Sequence, residues 1–345
     1  MKRSPLQPKP MKRHCIRLAD IAAIDNLTLA VWKAARSKRH RPDVIRFTTQ
    51  LDQHLQQLAQ DIVQAKVPYA RYREFYIHDP KERLIHAACF EDRVLHHAIM
   101  NLAEPVFERA LVPTTYACRP DKGVHRAVAQ VQANLRRYPW YVKTDISGYF
   151  PSIDHRILHD LLQRRFKGAD FLFLLWRIID SYHAKPDKGL PIGSLTSQHF
   201  ANYYLDGTDR FLLEHLKVQA QVRYMDDTLF WCNSRAEANE KLAALREYLH
   251  VERQLHIKPN SQINRSSAGV SYCGYRILPG AILLSRRKRQ RYQQLRRQWE
   301  QAWLDGQITE LVLQQAYQSV HAITLHADSQ AWRKQNLQLY PSPAI

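Results

Sequence analysis

The 345-residue chain is short of cysteine, of acid and of long apolar runs, and each shortage closes off a class of protein. Its five cysteines, Cys15, Cys89, Cys118, Cys232 and Cys273, stand singly. An odd number without CxxC spacing argues against a disulfide framework and against a zinc site. No apolar run approaches the about twenty residues that a membrane span needs. The N-terminus, MKRSPLQPKPMKRHCIRL, is basic but has no apolar stretch of the kind that makes a secretion signal, so a cytoplasmic chain is expected. No internal repeat is visible. Acid is scarce: 32 Asp and Glu face 51 Lys and Arg, a net charge of +19. Such a surplus favours a polyanionic partner, and nucleic acid is the commonest for a chain without a membrane span.

What is present points to a globular protein. Hydrophobic residues make up 45% of the chain, with 17 Tyr and 7 Trp, enough for two or three lobes around one or two cores. Residues 1 to about 18 read as a flexible basic arm broken by Pro5, Pro8 and Pro10. Helical spacing follows to about Ala65, with Leu51, Leu55, Leu58 and Ile62 on one face. The Tyr-rich segment YARYREFYIHDPKERLIHAA alternates, as a strand pair turning at His78-Asp79-Pro80 would. Helices are expected over 91–110 and 123–137, the second with Val124, Val128, Val131 and Leu135 in a stripe.

A short strand in PWYVKTD should end at Asp145, followed by helices around 155–183. The Pro/Gly loop KPDKGLPIGSLTSQ leads into a further helix. Residues 221–232 read as a hairpin, and Ser234 with Glu237 reads as a capping box that opens a helix. A strand pair and a basic helical end from Ser285 complete the pattern. Helix-rich start, strand–helix–hairpin centre and helical end make an α+β fold class.

The hairpin carries the chemistry. VRYMDDTLFW, residues 222–231, sets Asp226 and Asp227 side by side as the two-residue tip between apolar runs. Neighbouring carboxylates repel, and each loses hydration if the strands are buried. A third acid, Asp145 at the end of its strand, would complete a cluster that two divalent cations about 3.5–4 Å apart neutralise. Hard oxygen ligands favour Mg²⁺, with Mn²⁺ as substitute. Asp-Asp is also an ordinary turn pair, and Asp145 alone could merely cap a strand end. The other acid pair, Asp206 and Asp209 in YYLDGTD, falls on a helical pattern with no strand leading in.

These motifs, spread from about Tyr69 to Tyr275, resemble those of reverse transcriptases. Tyr224-Met225-Asp226-Asp227 matches the YxDD hairpin, and DISGYFPSID matches the first palm motif. The resemblance implies Asp145, Asp226 and Asp227 as catalytic metal ligands, joined by the backbone carbonyl of Ile146. It implies a nucleotide-binding set of Ser147, Gly148, Tyr149 and Phe150, with Phe150 at the steric-gate position that excludes a 2′-hydroxyl. KERLIHAACFEDRVLHHAI resembles the segment that grips the triphosphate, with Arg83 the better candidate and Lys81 the second. Arginine suits that role because a guanidinium binds phosphate with paired hydrogen bonds. Tyr224, Met225, Lys258, and Tyr272 and Gly274 of YCGY are implied at the template–primer. Arg286, Arg287, Lys288, Arg289 and Arg291 resemble a thumb helix that tracks its backbone. The implied architecture is the right hand: a basic arm and first helix over 1–45, fingers and palm (antiparallel sheet plus helices) over 46–275, and a helical thumb over 276–345.

GLPIGSLTSQ narrows the resemblance. Where most reverse transcriptases carry Gln after the Pro, this chain has Ile192-Gly193, and the motif ends in Ser197-Gln198. Together with YACRPDKGVHRA, this is similar to the reverse transcriptases of diversity-generating retroelements. That family copies a template-repeat RNA into cDNA with errors at adenines. Its partners are the template RNA, a DNA or RNA primer, dNTPs and a small basic accessory variability determinant protein. Ile192 offers bulk where a Gln could hydrogen-bond, and an apolar site discriminates less well than a polar one. With only a short tail after the expected thumb, a ribonuclease H or endonuclease domain is not expected in these 345 residues. The competing readings are a retron, group II intron or phage-defence reverse transcriptase, and a palm-fold nucleic-acid-binding scaffold without activity.

Overall fold

The structure is a computed structural model and describes residues 13–78 and 82–343. It divides into two compact units that do not follow the chain in order. The first takes 1–113, 146–211 and 244–258; the second takes 114–145, 212–243 and 259–345. This differs from the linear division expected at 45 and 275. Basic helices after Ser285 group with the central sheet rather than apart from it, because their chain leaves directly from strands packed in that unit's core.

In the first unit, helices Leu18–Ala22, Ile24–Ala35, Pro42–Thr49 and Leu51–Val63 precede the hairpin Tyr72–His78/Glu82–Ala88 and the long helix Phe90–Ala110. The apolar stripe Leu27, Ala30, Val31 of Ile24–Ala35 is buried, as are Val94, Leu95, Ala98 and Ile99 of Phe90–Ala110, and the two helices pack together. The expected turn at Asp79-Pro80 lies outside the described residues. Residues 1–12 of the expected basic arm lie outside the described residues; in the rest of it, His14–Cys15 pairs in parallel with Phe166–Lys167, and Arg17 bonds Asp20. Helices His155–Gln163, Ala169–Asp180 and Leu195–Tyr204 follow. Asp154 starts the first of these by accepting from the N–H groups of Arg156 and Ile157, a cap that contributes about 1 kcal/mol. Asp206 and Asp209 sit on the helix Asp206–Arg210, where Asp206 pairs with Arg210 and Arg165.

The second unit is built on a four-stranded antiparallel sheet, in the order Ala220–Tyr224, Asp227–Cys232, Trp140–Thr144, Gln262–Arg265. Inward residues Tyr141, Val222, Leu229 and Trp231 meet Ala127, Val128, Val131 and Leu135 of helix Val124–Arg137. Helical and two-residue periodicities thus face each other across one core. Truncating a residue such as Leu229 to Ala would cost about 2–5 kcal/mol. A second sheet of Val270–Tyr272, Tyr275–Ile277 and Ile282–Leu284 extends the same core. Helices Arg286–Leu304, Glu310–Ala322 and Gln330–Leu339 complete the unit. No helix among the described residues is long and apolar enough to cross a membrane.

Candidate active site

The hairpin register corrects the sequence reading by one residue. Tyr224 pairs with Asp227, so the two-residue loop is Met225-Asp226 and Asp227 is the first residue of the returning strand. Met225 takes a left-handed backbone, φ 56°, at the first loop position. A two-residue loop needs a positive φ there to match the twist of the strands, and a non-glycine residue pays about 1 kcal/mol for it. Arg223, fully buried, offsets part of that cost by donating from Nη1 to the Met225 carbonyl at 2.8 Å.

The neighbouring strand brings the third acid. Thr144 pairs with Thr228, so Asp145, one residue on, arrives at the end of the sheet where Asp227 begins its strand. Both Asp145 and Asp226 raise the Asp227 carboxyl by charge repulsion. The larger cause is burial. Asp227 Oδ1 is enclosed with no hydrogen-bond partner, and the carboxyl is pushed up to about 7. Lys143 works against both causes, with its Nζ 3.4 Å from Asp227 Oδ2. The same ammonium donates to the Ser271 carbonyl at 2.9 Å and lies over the Tyr272 ring.

Asp145, Asp226 and Asp227 gather at one end of the sheet. Their chemistry fits a hard divalent cation such as Mg²⁺. All donors are carboxylate oxygens, and one of them is buried and unpartnered.

Other expected residues fall differently. The Tyr272 ring is buried, and its hydroxyl donates to the Asp227 carbonyl at 3.0 Å, so it braces the hairpin. Its neighbour Gly274, φ 79°, lets Lys288 come close: a Cβ there would lie 3.0 Å from Lys288 Cε. Lys288 Nζ sits 3.7 Å from the centre of the Tyr275 ring, and burial lowers its pKa. It is half-buried against that ring, whereas Arg286, Arg287, Arg289 and Arg291 are exposed.

In the first unit, Tyr149 is core and donates to the Ala201 carbonyl, while Phe150 is half-buried and meets Tyr149 edge-on. Ser147 and Gly148 are exposed, and Ser147 N–H donates to the His256 carbonyl. Ile146 bridges Ile257, the residue before Lys258. Arg83 is exposed on its strand, and Lys81 lies outside the described residues.

The loop motif is pinned to the hairpin of its own unit. The Ile192 carbonyl accepts from His86 N–H at 3.0 Å, and Gly193, φ 114°, leaves only 2.9 Å between an added Cβ and Ile85. Gln198 is half-buried one turn into the following helix. Sequence reasoning missed Lys143 and Arg223. Both carried a signal: a basic residue inside an apolar strand, with Lys143 on the same face as Asp145 by strand alternation.

With this geometry in view, residues 78–277, more than half of the chain, match the model of the reverse transcriptase (RNA-dependent DNA polymerase) family. The chain belongs to that family. Its α+β fold, with an antiparallel sheet and helices, is the family's right-hand polymerase class. Among curated proteins it is 30% identical to Protein YkfC of Escherichia coli K12 over 166 residues, 45% of this chain and 42% of that protein. It is 25% identical to the group II intron-encoded protein LtrA of Lactococcus lactis over 227 residues, 58% of this chain and 37% of LtrA. The chain thus spans less than half the length of these curated relatives. A solved apo telomerase from Candida tropicalis matches with a TM-score of 0.45 and 12% identity, over 63% of this chain and 55% of that one.

Proposed function

We propose that this reverse transcriptase family member is an RNA-directed DNA polymerase that extends a DNA or RNA primer on an RNA template. The observation that carries the reading is Asp227. It is a carboxylate held at a strand start beside Asp145 and Asp226, with one oxygen buried and unpartnered. Asp145, Asp226, Asp227 and the Ile146 carbonyl would hold two Mg²⁺ ions, with Mn²⁺ able to substitute. Bound there, the ions supply charge for the nucleotide phosphates and acidify the primer hydroxyl. The chain's own residues do the positioning. Lys143 orients Asp227, Arg223 fixes the loop, and Tyr272 fixes the Asp227 backbone. Phe150 would exclude a 2′-hydroxyl, with Arg83 and Lys81 on the triphosphate. Exposed Arg286, Arg287, Arg289 and Arg291, together with Lys258, would contact template–primer phosphates.

The finer reading is a diversity-generating reverse transcriptase working with its template-repeat RNA and an accessory variability determinant protein. PIGSLTSQ supports it, with Ile192 replacing a hydrogen-bonding side chain. The second reading, a group II intron-type enzyme, is favoured by the likeness to LtrA. Primer extension on an RNA template with Mg²⁺, followed by cDNA sequencing, separates them. Metal-dependent cDNA lost in Asp226→Ala, with errors opposite adenine, is the expected result. Accurate cDNA would favour the intron type, and no product from the complete RNA–protein system would overturn the polymerase reading. Ile192→Gln should lower misincorporation opposite adenine; an unchanged error spectrum would remove Ile192 from the account.

A further inference from the structure

The first unit holds a second cluster of ligand-type side chains, none of them from the aspartate group. His155 opens the helix His155–Gln163, Asp180 closes the helix Ala169–Asp180, and His183 follows one turn later. One donor atom from each lies within 4.8 Å of the others. The His155 and His183 rings are 4.9 Å apart, and His183 Nε2 is 3.4 Å from Asp180 Oδ1.

His155 gives the cluster its direction. It is 1% exposed, and its Nε2 lies 2.7 Å from the Gly189 carbonyl. A carbonyl can only accept, so Nε2 carries the proton and Nδ1 keeps the lone pair. That Nδ1 is buried and has no hydrogen-bond partner. A carbonyl fixing the tautomer of an imidazole whose other nitrogen is left unpaired is the arrangement found behind metal-binding histidines. Asp180 and His183 are 51% and 40% exposed, free enough to swing the roughly 1 Å that would bring all three atoms to the spacing of ligands on one ion.

We propose that His155, Asp180 and His183 form a structural site for a zinc-class divalent ion. Two imidazole nitrogens and one carboxylate oxygen suit Zn²⁺ or Co²⁺ far better than Mg²⁺, which prefers oxygen alone. The sequence reading turned away from zinc because the cysteines are scattered; here imidazoles take the role, and the thiols none. The ion would tie the end of the helix Ala169–Asp180 to the start of the preceding helix, His155–Gln163, and so close the loop 184–189. That loop is already laced to the same region. His155 N–H bonds the Asp187 carbonyl, Gly189 N–H bonds Ile153, and Leu190 N–H bonds the Phe150 carbonyl at 3.0 Å. Fastening it would set the backbone that leads into Pro191-Ile192-Gly193.

The test uses the full chain, stripped with chelator and titrated with Co²⁺, whose visible absorption reports nitrogen-containing coordination; Zn²⁺ then competes. The double variant Asp180→Asn, His183→Gln changes only exposed ligands and spares the buried His155. One Co²⁺ per chain with a nitrogen-type spectrum is expected in the wild type and in Asp226→Asn, Asp227→Asn, whatever oxygen-bound Co²⁺ the aspartates add in the former. A loss of affinity of roughly tenfold or more is expected in the His183/Asp180 variant. Zn²⁺ should also slow amide exchange across 184–190 in the wild type alone. Equal nitrogen-type Co²⁺ binding by the wild type and the Asp180/His183 variant, or no nitrogen-type Co²⁺ spectrum in the wild type, would overturn the proposal.

Discussion

Replacing Asp227 with Asn should make the chain more stable, by an amount that grows above about pH 4 and is full above about pH 7. The carboxyl is displaced from 3.8 to about 7, chiefly by burial. A group that holds its proton more tightly folded than unfolded costs nothing below about pH 4, where both states carry the proton. The cost grows as pH rises through the window and is complete above about 7. Roughly three pH units at about 1.4 kcal/mol each give about 4 kcal/mol as the ceiling. The side chain is 29% exposed, so solvent screening trims this to about 2–4 kcal/mol. For a unit of this size that is a rise of about 5–10 °C in melting temperature. The assay is thermal unfolding of wild type and Asp227→Asn in chelator, at about pH 8 and about pH 4. Coincident melting at the higher pH, or a less stable variant there, would refute the reasoning. Mg²⁺ added at the higher pH should raise the wild-type melting temperature and leave that of the variant nearly unmoved, since an ion bound only to the folded state stabilises it.

Lys143→Met removes the charge that pulls the Asp227 carboxyl down, so the acid limb of polymerase activity should move to higher pH, and the Mg²⁺ needed for half-activity should rise. A pH profile with an unmoved acid limb would show that Lys143 does not tune Asp227. Gly193→Ala adds a Cβ 2.9 Å from Ile85 at a backbone φ of 114°. It should cost about 1–3 kcal/mol and speed amide exchange in the hairpin Tyr72–His78/Glu82–Ala88. Unchanged exchange there would mean the loop and hairpin are not coupled.

Much of the site was legible because its signals are local. Adjacent acids between apolar runs mark a hairpin end. A strand closing on Asp145, and a stripe of Val128, Val131 and Leu135, need only periodicities of two and 3.6 to be read. What escaped were properties that depend on who sits opposite. The pairing of Tyr224 with Asp227 is set by turn geometry, and it separates two neighbouring aspartates into a loop residue and a strand residue. Spacing along the chain did not show that the sheet turns the Tyr272 hydroxyl onto the Asp227 carbonyl. Nor did spacing along the chain show that Gly274 admits Lys288 over the Tyr275 ring.

The sequence by itself determined the residue types, their order and the elements that carry them, because propensity, alternation and charge act over a few residues. Only tertiary structure decided which carboxylate oxygen is buried, which lysine answers it, and that His155 meets Asp180 and His183 across the gap between two helices. Burial and pairing belong to residues far apart in the chain, and they exist only once the chain has closed on itself.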